Sequence, residues 1–477
     1  MCSTVPMADD LKRLKVLIVG GSVAGLTLAH CLERLGVSYT VLEKGNQIAP
    51  QLGASVGILP NGGRILDQLG LFDHVEAEIE PLDFAVIRHE DGFSFKSQYP
   101  KALRSSYGYP VSFLERQRFL QILYDKLEGK KNVYASKKVV AITEGPDKDT
   151  VVVRTSDGAE YAADIVVGAD GVHSTVRSEI RRHVEEASGL PAGDEPTTGI
   201  RYEYACIYGT SSNVPHTELG VQLSCLSGGI SIHLFAGKQS KFFWFIIVKT
   251  SSDELLEIRK DASSSARRIC ERLGTKMLSD KLSFRDVWSR CIIYKMTPLE
   301  EGVFKHWNRG RLVCIGDAVR KMAPNIGQGA NMAIEDAAQL SNLISKRILS
   351  SPGKASVTVI ESLLQEFTTL QRARSESICG QSEFLVRMHA NEGIGRRLLG
   401  RYLIPMLEDA PAAVSGVSIQ GATMIESMGI PVRSRGKAWD GSWGSRLQRW
   451  RYMRPRLALQ FYLYLLVGLM VLYMKMR

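Results

Sequence analysis

A glycine-rich turn between a short apolar strand and a helix is the feature that most constrains the fold of this chain. Residues 16–19 read Val-Leu-Ile-Val, and residues 20–25 read Gly-Gly-Ser-Val-Ala-Gly. The apolar pattern that follows predicts a helix over about 24–35, and a second strand is predicted at 39–42. The order strand, turn, helix, strand predicts a parallel α/β unit of the Rossmann type.

The residue types in this turn suit a dinucleotide. Gly20 permits a sharp turn after the strand, Gly25 permits close packing of helix on strand, and the free amides at the helix start can hold a pyrophosphate. Glu43 ends the second strand, where an acid accepts a hydrogen bond from a ribose hydroxyl. Ser22 replaces the usual second glycine, so its phosphate contact is expected to differ. A GxSxG nucleophile turn around Ser22 is excluded because position 24 is alanine.

Two later strand ends carry similar turns. One apolar strand ends in Val-Gly-Ala-Asp-Gly at 167–171, and another ends in Ile-Gly-Asp-Ala at 315–318, where the carboxylate of Asp317 can bond a ribityl hydroxyl. A glycine-rich stretch at 327–331 then opens a helix predicted over 328–346, whose N-terminus can face an electron-rich ring. These turns predict a site that holds a cofactor which does the chemistry itself.

Metal and nucleic-acid functions are not expected. The eight cysteines are scattered without a CxxC pair, and no histidine cluster has metal-ligand spacing. The chain has 60 Lys+Arg and 50 Asp+Glu among 477 residues, a formal net charge of +10. Residues 431–477 contain ten of these basic residues and a single acid, so the remainder is close to neutral and lacks the charge of a nucleic-acid binder.

The C-terminal tail predicts a membrane anchor. Residues 457–474 form an apolar run whose strongly polar member is Gln460, with arginines and tryptophans before it and basic residues after it. The excess positive charge before the run places the body of the protein in the cytosol, and the length suits the thin bilayer of the endoplasmic reticulum. A buried C-terminal helix is the alternative. Residues 398–406 are predicted either as a second interfacial contact or as a core helix.

The three turns in this order resemble the class A flavoprotein monooxygenases, which have the para-hydroxybenzoate hydroxylase fold, over about residues 14–345. Residues 43–70 and 115–118 look like the fungal epoxidases of meroterpenoid and indole-diterpene pathways, the paxilline type. One departure is Arg320, which replaces the histidine of the usual Gly-Asp-Ala-Ala-His and is expected to change the electrostatics at the cofactor edge. The resemblance and the turns together predict an FAD site at Gly20, Ser22, Gly25, Glu43, Gly57, Arg116, Asp170, Asp317, Gly329 and Ala330.

The resemblance implies an α/β protein in which a GR2-type Rossmann FAD-binding domain is interleaved with an antiparallel β-sheet substrate domain. Within the first domain, residues 113–127 predict an amphipathic helix. The expected divisions are an FAD-binding domain over 14–194, with room for substrate-domain strands near 82–112, and over 296–350, a β-rich substrate domain over 195–295, a helical C-terminal region over 351–438 and a transmembrane helix over 457–474.

By the same resemblance, NADPH reduces FAD, O2 adds, and a flavin C4a-hydroperoxide transfers oxygen to a prenyl-chain alkene of a lipophilic intermediate before a terpene cyclase acts. That membrane cyclase is a candidate partner. An aromatic hydroxylase on the same fold is one alternative, and a non-catalytic FAD-fold protein binding prenylated partners at the membrane is another. Tyr204 matches a family pattern and is the candidate catalytic hydrogen-bond donor. Phe235 and the aromatic run 242–245 are predicted as sheet core or as pocket wall.

Overall fold

The computed structural model describes residues 14–440, apart from 52, 54, 147–148, 190–199, 351–352 and 408–409. The predicted anchor at 457–474 lies outside these residues. Within the described ranges, no helix combines the length and the apolar character needed to cross a bilayer. The prediction of a single-pass anchor in the endoplasmic reticulum is corrected accordingly: the described residues supply no membrane-spanning helix, and the anchor is not retained.

The elements alternate between strands and helices in the first half and become mostly helical after residue 320. The strands are β1 (Lys15–Val19), β2 (Ser38–Leu42), β3 (Ser55–Ile58), β4 (Phe84–His89), β5 (Ser94–Ser97), β6 (Ser112–Glu115), β7 (Val133–Tyr134), β8 (Val139–Glu144), β9 (Val151–Thr155), β10 (Glu160–Ala163), β11 (Ile165–Gly168), β12 (Arg201–Ser212), β13 (Val221–Ser227), β14 (Ile230–Ala236), β15 (Lys241–Lys249), β16 (Cys291–Val303), β17 (Asn308–Arg309), β18 (Leu312–Cys314) and β19 (Arg320–Lys321). The helices are α1 (Val23–Arg34), α2 (Pro60–Gln68), α3 (Phe72–Glu76), α4 (Tyr99–Tyr107), α5 (Arg116–Asp125), α6 (Thr175–Ser188), α7 (Ser252–Lys260), α8 (Ala262–Arg272), α9 (Phe284–Trp288), α10 (Gln328–Ile344), α11 (Val357–His389), α12 (Ile394–Leu398), α13 (Ile404–Met406) and α14 (Ala410–Ile419).

A sheet in the order β17-β18-β11-β1-β2-β7 carries the three turns. Strands β2, β1, β11 and β18 run parallel to one another, and β17 pairs antiparallel with β18 at the edge. Residues 16–19 are all buried, as expected for a parallel strand that is covered on both faces. Because parallel strands end at the same edge, the turns after β1, β11 and β18 meet there, at the position where α/β sheets bind ligands.

A second sheet has the order β19-β16-β12-β15-β14-β13-β4-β5 and is mostly antiparallel. Its two faces follow the alternation of side chains along each strand. On β15, Trp244 and Ile246 pack into an apolar core with α8 and α9, whereas Phe243 and Phe245 point to the opposite face. That opposite face is the one nearer the first sheet's turns, because Phe245 borders the same cavity as they do.

The helix predicted at 113–127 is shorter in the structure. Residues 112–115 form β6, which pairs with β3 so that Phe113 stands opposite Gly57. Helix α5 therefore begins at Arg116 and ends at Asp125. Strand pairing with a distant segment overrides the local helical pattern here, and it places Arg116 at the end of a strand.

Helix α11 links the two sheets through a stripe of polar side chains seven residues apart. Thr368 bonds Asn308, with 2.6 Å between Oγ1 and Oδ1. Ser375 accepts a 3.0 Å hydrogen bond from Arg320, and the Ser382 hydroxyl donates to the carbonyl oxygen of residue 323 at 3.1 Å. All three hydroxyl side chains are buried. The stripe continues two turns further with His389, the last residue of the helix.

Candidate active site

A cavity of about 840 Å³ opens where β1, β11 and β18 end. Its wall includes nine of the ten residues predicted for the cofactor site, and the tenth, Gly25, is packed beneath the turn. The nine are Gly20, Ser22, Glu43, Gly57, Arg116, Asp170, Asp317, Gly329 and Ala330.

The turn after β1 is fixed by the absence of side chains. Gly20 has φ +109°, and a Cβ there would overlap the carbonyl oxygen of Ala169. A Cβ on Gly25 would overlap the carbonyl oxygen of Gly20. Glu43 Oε2 accepts the amide of Gly21 at 2.7 Å, so the carboxylate is held against the turn.

Ser22 and Arg116 form a hydrogen-bonded pair on the wall of the cavity. Ser22 is the N-cap of α1, but its hydroxyl makes no capping bond and instead accepts a 2.8 Å hydrogen bond from Arg116 Nη2. Arg116 Nη1 is buried and has no hydrogen-bond partner. Burial lowers the pKa of the guanidinium, and the charges of Asp317 and Glu43 oppose that shift. A cation with a free donor beside a helix N-terminus fits the pyrophosphate of a dinucleotide.

The Asp170 turn also presents an unused polar atom. Asp170 Oδ2 accepts the amide of Thr175 at 2.6 Å, which ties the turn to the start of α6. Its Oδ1 is buried without a partner. Burial raises the pKa of this carboxyl, and hydrogen bonds from Ser174 and Thr175 counter the shift. Arg116 Nη1 and Asp170 Oδ1 are thus two unsatisfied buried groups on the wall of one cavity, as expected where a polar cofactor completes the bonding.

The loop at Asp317 is held by a buried ion pair that the sequence did not indicate. The Arg320 guanidinium donates to both carboxylate oxygens of Asp336, at 3.1 and 2.7 Å, and to Ser375. Asp336 Oδ2 also accepts the amide of Gly316 at 2.8 Å. Arg320 is 2% exposed, so its charge is paired beneath the loop, while Asp317 is more than half exposed.

Asn331 is a further residue of the site that sequence reasoning missed. Its Nδ2 donates to the carbonyl oxygens of Gly57 at 2.9 Å and Gly327 at 2.7 Å, and its Oδ1 accepts the amide of Leu59 at 3.0 Å. The side chain therefore fastens the strand at Gly57 to the first turn of α10. A fully buried amide in the first turn of a helix is the signal, and burial cannot be read from sequence alone.

The aromatic candidates divide between the two faces of the second sheet. Phe245 and Phe113 line the cavity. Phe235 stacks on Phe113 with ring centroids 3.9 Å apart. Trp244 lies on the far face, where its indole N–H donates to Ser211, and Phe242 packs into the same far core.

Tyr204 is placed away from this cavity. Its ring is fully buried, and its hydroxyl donates to Glu392. Burial and that carboxylate raise the pKa of the phenol. A role for Tyr204 in catalysis remains a prediction. Among the described residues, no group of three or more His, Cys, Asp and Glu side chains could hold a metal ion.

Comparison with known proteins agrees with this geometry. The FAD binding domain family model matches residues 13–198 and 234–373. Klebsiella pneumoniae HpxO, solved with FAD and uric acid, aligns with a TM-score of 0.65 over 86% of this chain and 97% of its own, at 19% identity, which shows a shared fold. The chain is therefore a flavoprotein of the FAD binding domain family.

Its relatives define the type of flavoprotein. The FAD-dependent monooxygenase idtM of Claviceps paspali is 69% identical over 98% of this chain and 94% of its own length. The FAD-dependent monooxygenases ltmM of Epichloe festucae (strain Fl1) and paxM of Penicillium paxilli are 63% and 40% identical, over 95% and 96% of this chain and 96% and 94% of their own lengths. The chain belongs to the FAD-dependent monooxygenases, which use FAD, O2 and a reduced nicotinamide. The resemblance seen in its motifs is confirmed, and the non-catalytic alternative is set aside.

Proposed function

We propose that this enzyme epoxidises an alkene in the prenyl chain of a lipophilic meroterpenoid or indole-diterpene intermediate, with NADPH as the reductant. The observation that carries the proposal is the aromatic wall formed by Phe113, Phe235 and Phe245 at the edge of the cofactor cavity. An apolar wall of this kind binds a hydrocarbon chain and excludes water from the reacting atoms.

The ionisable groups beside this wall favour an alkene over a phenol. Hydroxylation of a phenol requires a base to remove its proton, whereas an alkene reacts without deprotonation. His233 stands next to Phe245 on the sheet, and burial lowers the pKa of its ring to about 4, which makes it a weak base. Burial raises the pKa of Tyr208, the neighbour of Phe245 on the other side. Neither group suits phenol activation near neutral pH.

The cofactor would be held by the residues of the three turns. Arg116 with Ser22 would bind the pyrophosphate, Glu43 the adenosine ribose and Asp317 the ribityl chain, while the start of α10 would face the ring. When bound, FAD supplies the activation of O2, and the protein's own task is to orient the alkene and exclude water. The division into a cofactor domain (14–194 and 296–350) and a substrate domain (195–295) belongs to the same proposal. A terpene cyclase would then consume the epoxide.

The test uses purified holoenzyme with a prenylated indole and a prenylated phenol. We expect NADPH oxidation to rise with substrate, NADH to be a poorer donor, and the product to gain one oxygen that mild acid converts to a diol. A product that carries a new hydroxyl group on the aromatic ring, with the prenyl alkene intact, would instead establish the aromatic hydroxylase.

A matched pair of variants tests the wall. Phe245→Leu, on the cavity face, should raise the KM for the prenylated substrate and increase NADPH oxidation without oxygen transfer. Phe242→Leu, on the opposite face of the same strand, should change stability but not this coupling. Equal effects of the two variants on coupling would contradict the assignment of the wall.

A further inference from the structure

A polar cluster interrupts the cavity-facing side of the second sheet. Cross-strand partners share a face, and the register places Tyr208, Phe245, His233 and Ser224 in one row across β12, β15, β14 and β13. Phe245 lines the cofactor cavity. His233 therefore lies one strand spacing, about 4.8 Å, farther along the same surface.

The hydrogen bonds of His233 are complete and extend across the sheet. Ser224 Oγ lies 2.9 Å from its Nδ1 and Ser231 Oγ lies 3.1 Å from its Nε2. Gln222 donates to Ser224 at 3.0 Å, and the Tyr99 hydroxyl donates to Gln222 at 2.6 Å. The imidazole is thus held in one orientation by a network that does not use the cofactor residues.

His389, the last residue of α11, lies against this network but forms no hydrogen bond with it through Nδ1. Its ring centroid is 5.2 Å from that of His233, with the two planes at 45°. Its Nδ1 is buried without a hydrogen-bond partner. On β4, in the next row of the same face, His89 Nε2 is also buried and unpartnered. A buried nitrogen of this kind is destabilising unless a bound group completes its hydrogen bonding.

The chemistry of the cluster specifies the kind of group that would complete it. Burial lowers the pKa of His233 to about 4 and that of His389 well below its usual value, so both rings are neutral. Arg401, a cation near His89, donates to Asp91 and stacks on Phe93, and is thereby engaged. In the neutral tautomer whose proton is on Nε2, the Nδ1 of His389 is a hydrogen-bond acceptor, so it binds an uncharged N–H or O–H group better than a carboxylate, which would require a cation.

We propose that His389, supported by His233, forms a polar subsite that binds the single uncharged N–H or O–H group of an otherwise apolar substrate whose prenyl chain runs over Phe245 to the cofactor. The proposal rests on the function proposed above. His389 is then a specificity-determining residue, because a ligand that lacks the polar hydrogen would leave its Nδ1 unpaired.

The experiment measures dissociation constants on the holoenzyme from the perturbation of the flavin absorption spectrum. One probe pair is a prenylated indole and the corresponding benzofuran, in which oxygen replaces the N–H. The second pair is a prenylated phenol and its methyl ether. Wild type should prefer the hydrogen-bearing member of at least one pair by about tenfold, and the pair that discriminates identifies the source of the group.

The variants assign that preference to one side chain. His389→Leu should reduce the ratio of dissociation constants to near one, and His389→Asn, which retains a hydrogen-bonding group, should keep part of it. His183→Leu, on the surface helix α6, is the matched control and should leave the ratio unchanged. Flavin content and melting temperature establish that each variant is folded. If His389→Leu does not fold, the wild-type and His389→Asn ratios decide.

Two outcomes overturn the proposal: a wild-type ratio of one for both pairs, as expected if only an ordered water fills the cluster, or a ratio that His389→Leu does not change. Product analysis separates this result from the proposed function. Epoxide formed without any N–H or O–H preference removes the subsite and keeps the epoxidase, whereas a preference without epoxide supports the subsite and removes the epoxidase.

Discussion

Two loops border the same cavity and are held in place by opposite means. The turn at residues 20–25 keeps its shape because glycines let backbone atoms approach where a Cβ would overlap them. The loop at 316–318 keeps its shape because Arg320 and Asp336 are buried beneath it as an ion pair. The first device is steric and is visible in the order of the residues. The second is electrostatic and joins residues whose pairing only the fold reveals.

The largest effect is expected from filling the first loop. Gly25→Ala would push a Cβ into the carbonyl of Gly20, so the turn and helix α1 would have to separate. We expect the purified variant to contain no FAD, measured as the ratio of flavin to protein absorbance. Gly380→Ala, within α11 and with no atom near the added Cβ, is the control and should retain full flavin content. Normal flavin content in Gly25→Ala would refute the steric account of the turn.

The second loop should lose stability when one charge of its buried ion pair is removed. Asp336→Asn leaves Arg320 buried without its carboxylate, which costs about 3–5 kcal/mol in the free energy of unfolding. Urea denaturation measures this cost. The double variant Arg320→Met with Asp336→Leu should lose less, because it removes both buried charges. A double variant less stable than Asp336→Asn would show that the pair does more than balance its own charges.

The stability of the protein should depend on pH through His233, on the cavity-facing side of the second sheet. The pKa of His233 is about 4 in the folded protein against 6.5 for an unperturbed ring. The folded state therefore binds fewer protons between these values, and the free energy of unfolding falls as pH drops from 6.5 towards 4, by up to about 3 kcal/mol. In His233→Gln that part of the fall should disappear in urea titrations at several pH values. An unchanged pH profile would mean that His233 is protonated in the folded state as readily as in the unfolded one.

The smallest effect is expected from removing the Ser22 hydroxyl, which accepts the hydrogen bond of Arg116. Ser22→Ala removes the acceptor for Arg116 Nη2 without filling the turn. We expect the dissociation constant for FAD to rise about fivefold in fluorescence titrations of the apoprotein, the worth of one hydrogen bond of about 1 kcal/mol. Ser22→Thr keeps the hydroxyl and should bind FAD more tightly than Ser22→Ala. If both variants bind FAD equally, the pair with Arg116 does not contribute to the site.

The comparison also shows what the sequence can predict. Residues 20–25 and Glu43 are close in the chain, so a local pattern was enough to place them together. Asp317 and Asp170 were found because each follows an apolar strand, and parallel strands end at one edge. Arg320 was expected to alter the electrostatics at the cofactor edge. Its partner Asp336 lies within α10, and this pairing could not be recognised before the packing of α10 was known.

Other features depended on distant pairing and were missed or misjudged. Phe113 continues a helical pattern but pairs with Gly57 as a strand, and this moved the start of the helix to Arg116. The polar cluster at His233 requires the register of three strands and the end of α11, and no local sequence signal indicates it. The membrane prediction rested on residues 457–474 and on the basic and aromatic residues that flank them, and the described helices do not support it.

The polar stripe on α11 fixes the distance between the segments that this helix contacts. Thr368, Ser375, Ser382 and His389 are each seven residues apart, about 10.5 Å or two turns. Each therefore returns to nearly the same side, and the first three are fixed by hydrogen bonds to other segments. Deleting one residue between Ser382 and His389 would shorten the helix by about 1.5 Å and rotate its end by about 100°, turning His389 away from His233. The number of residues in α11 therefore sets the separation between the Arg320 loop and the face of the second sheet that carries His233.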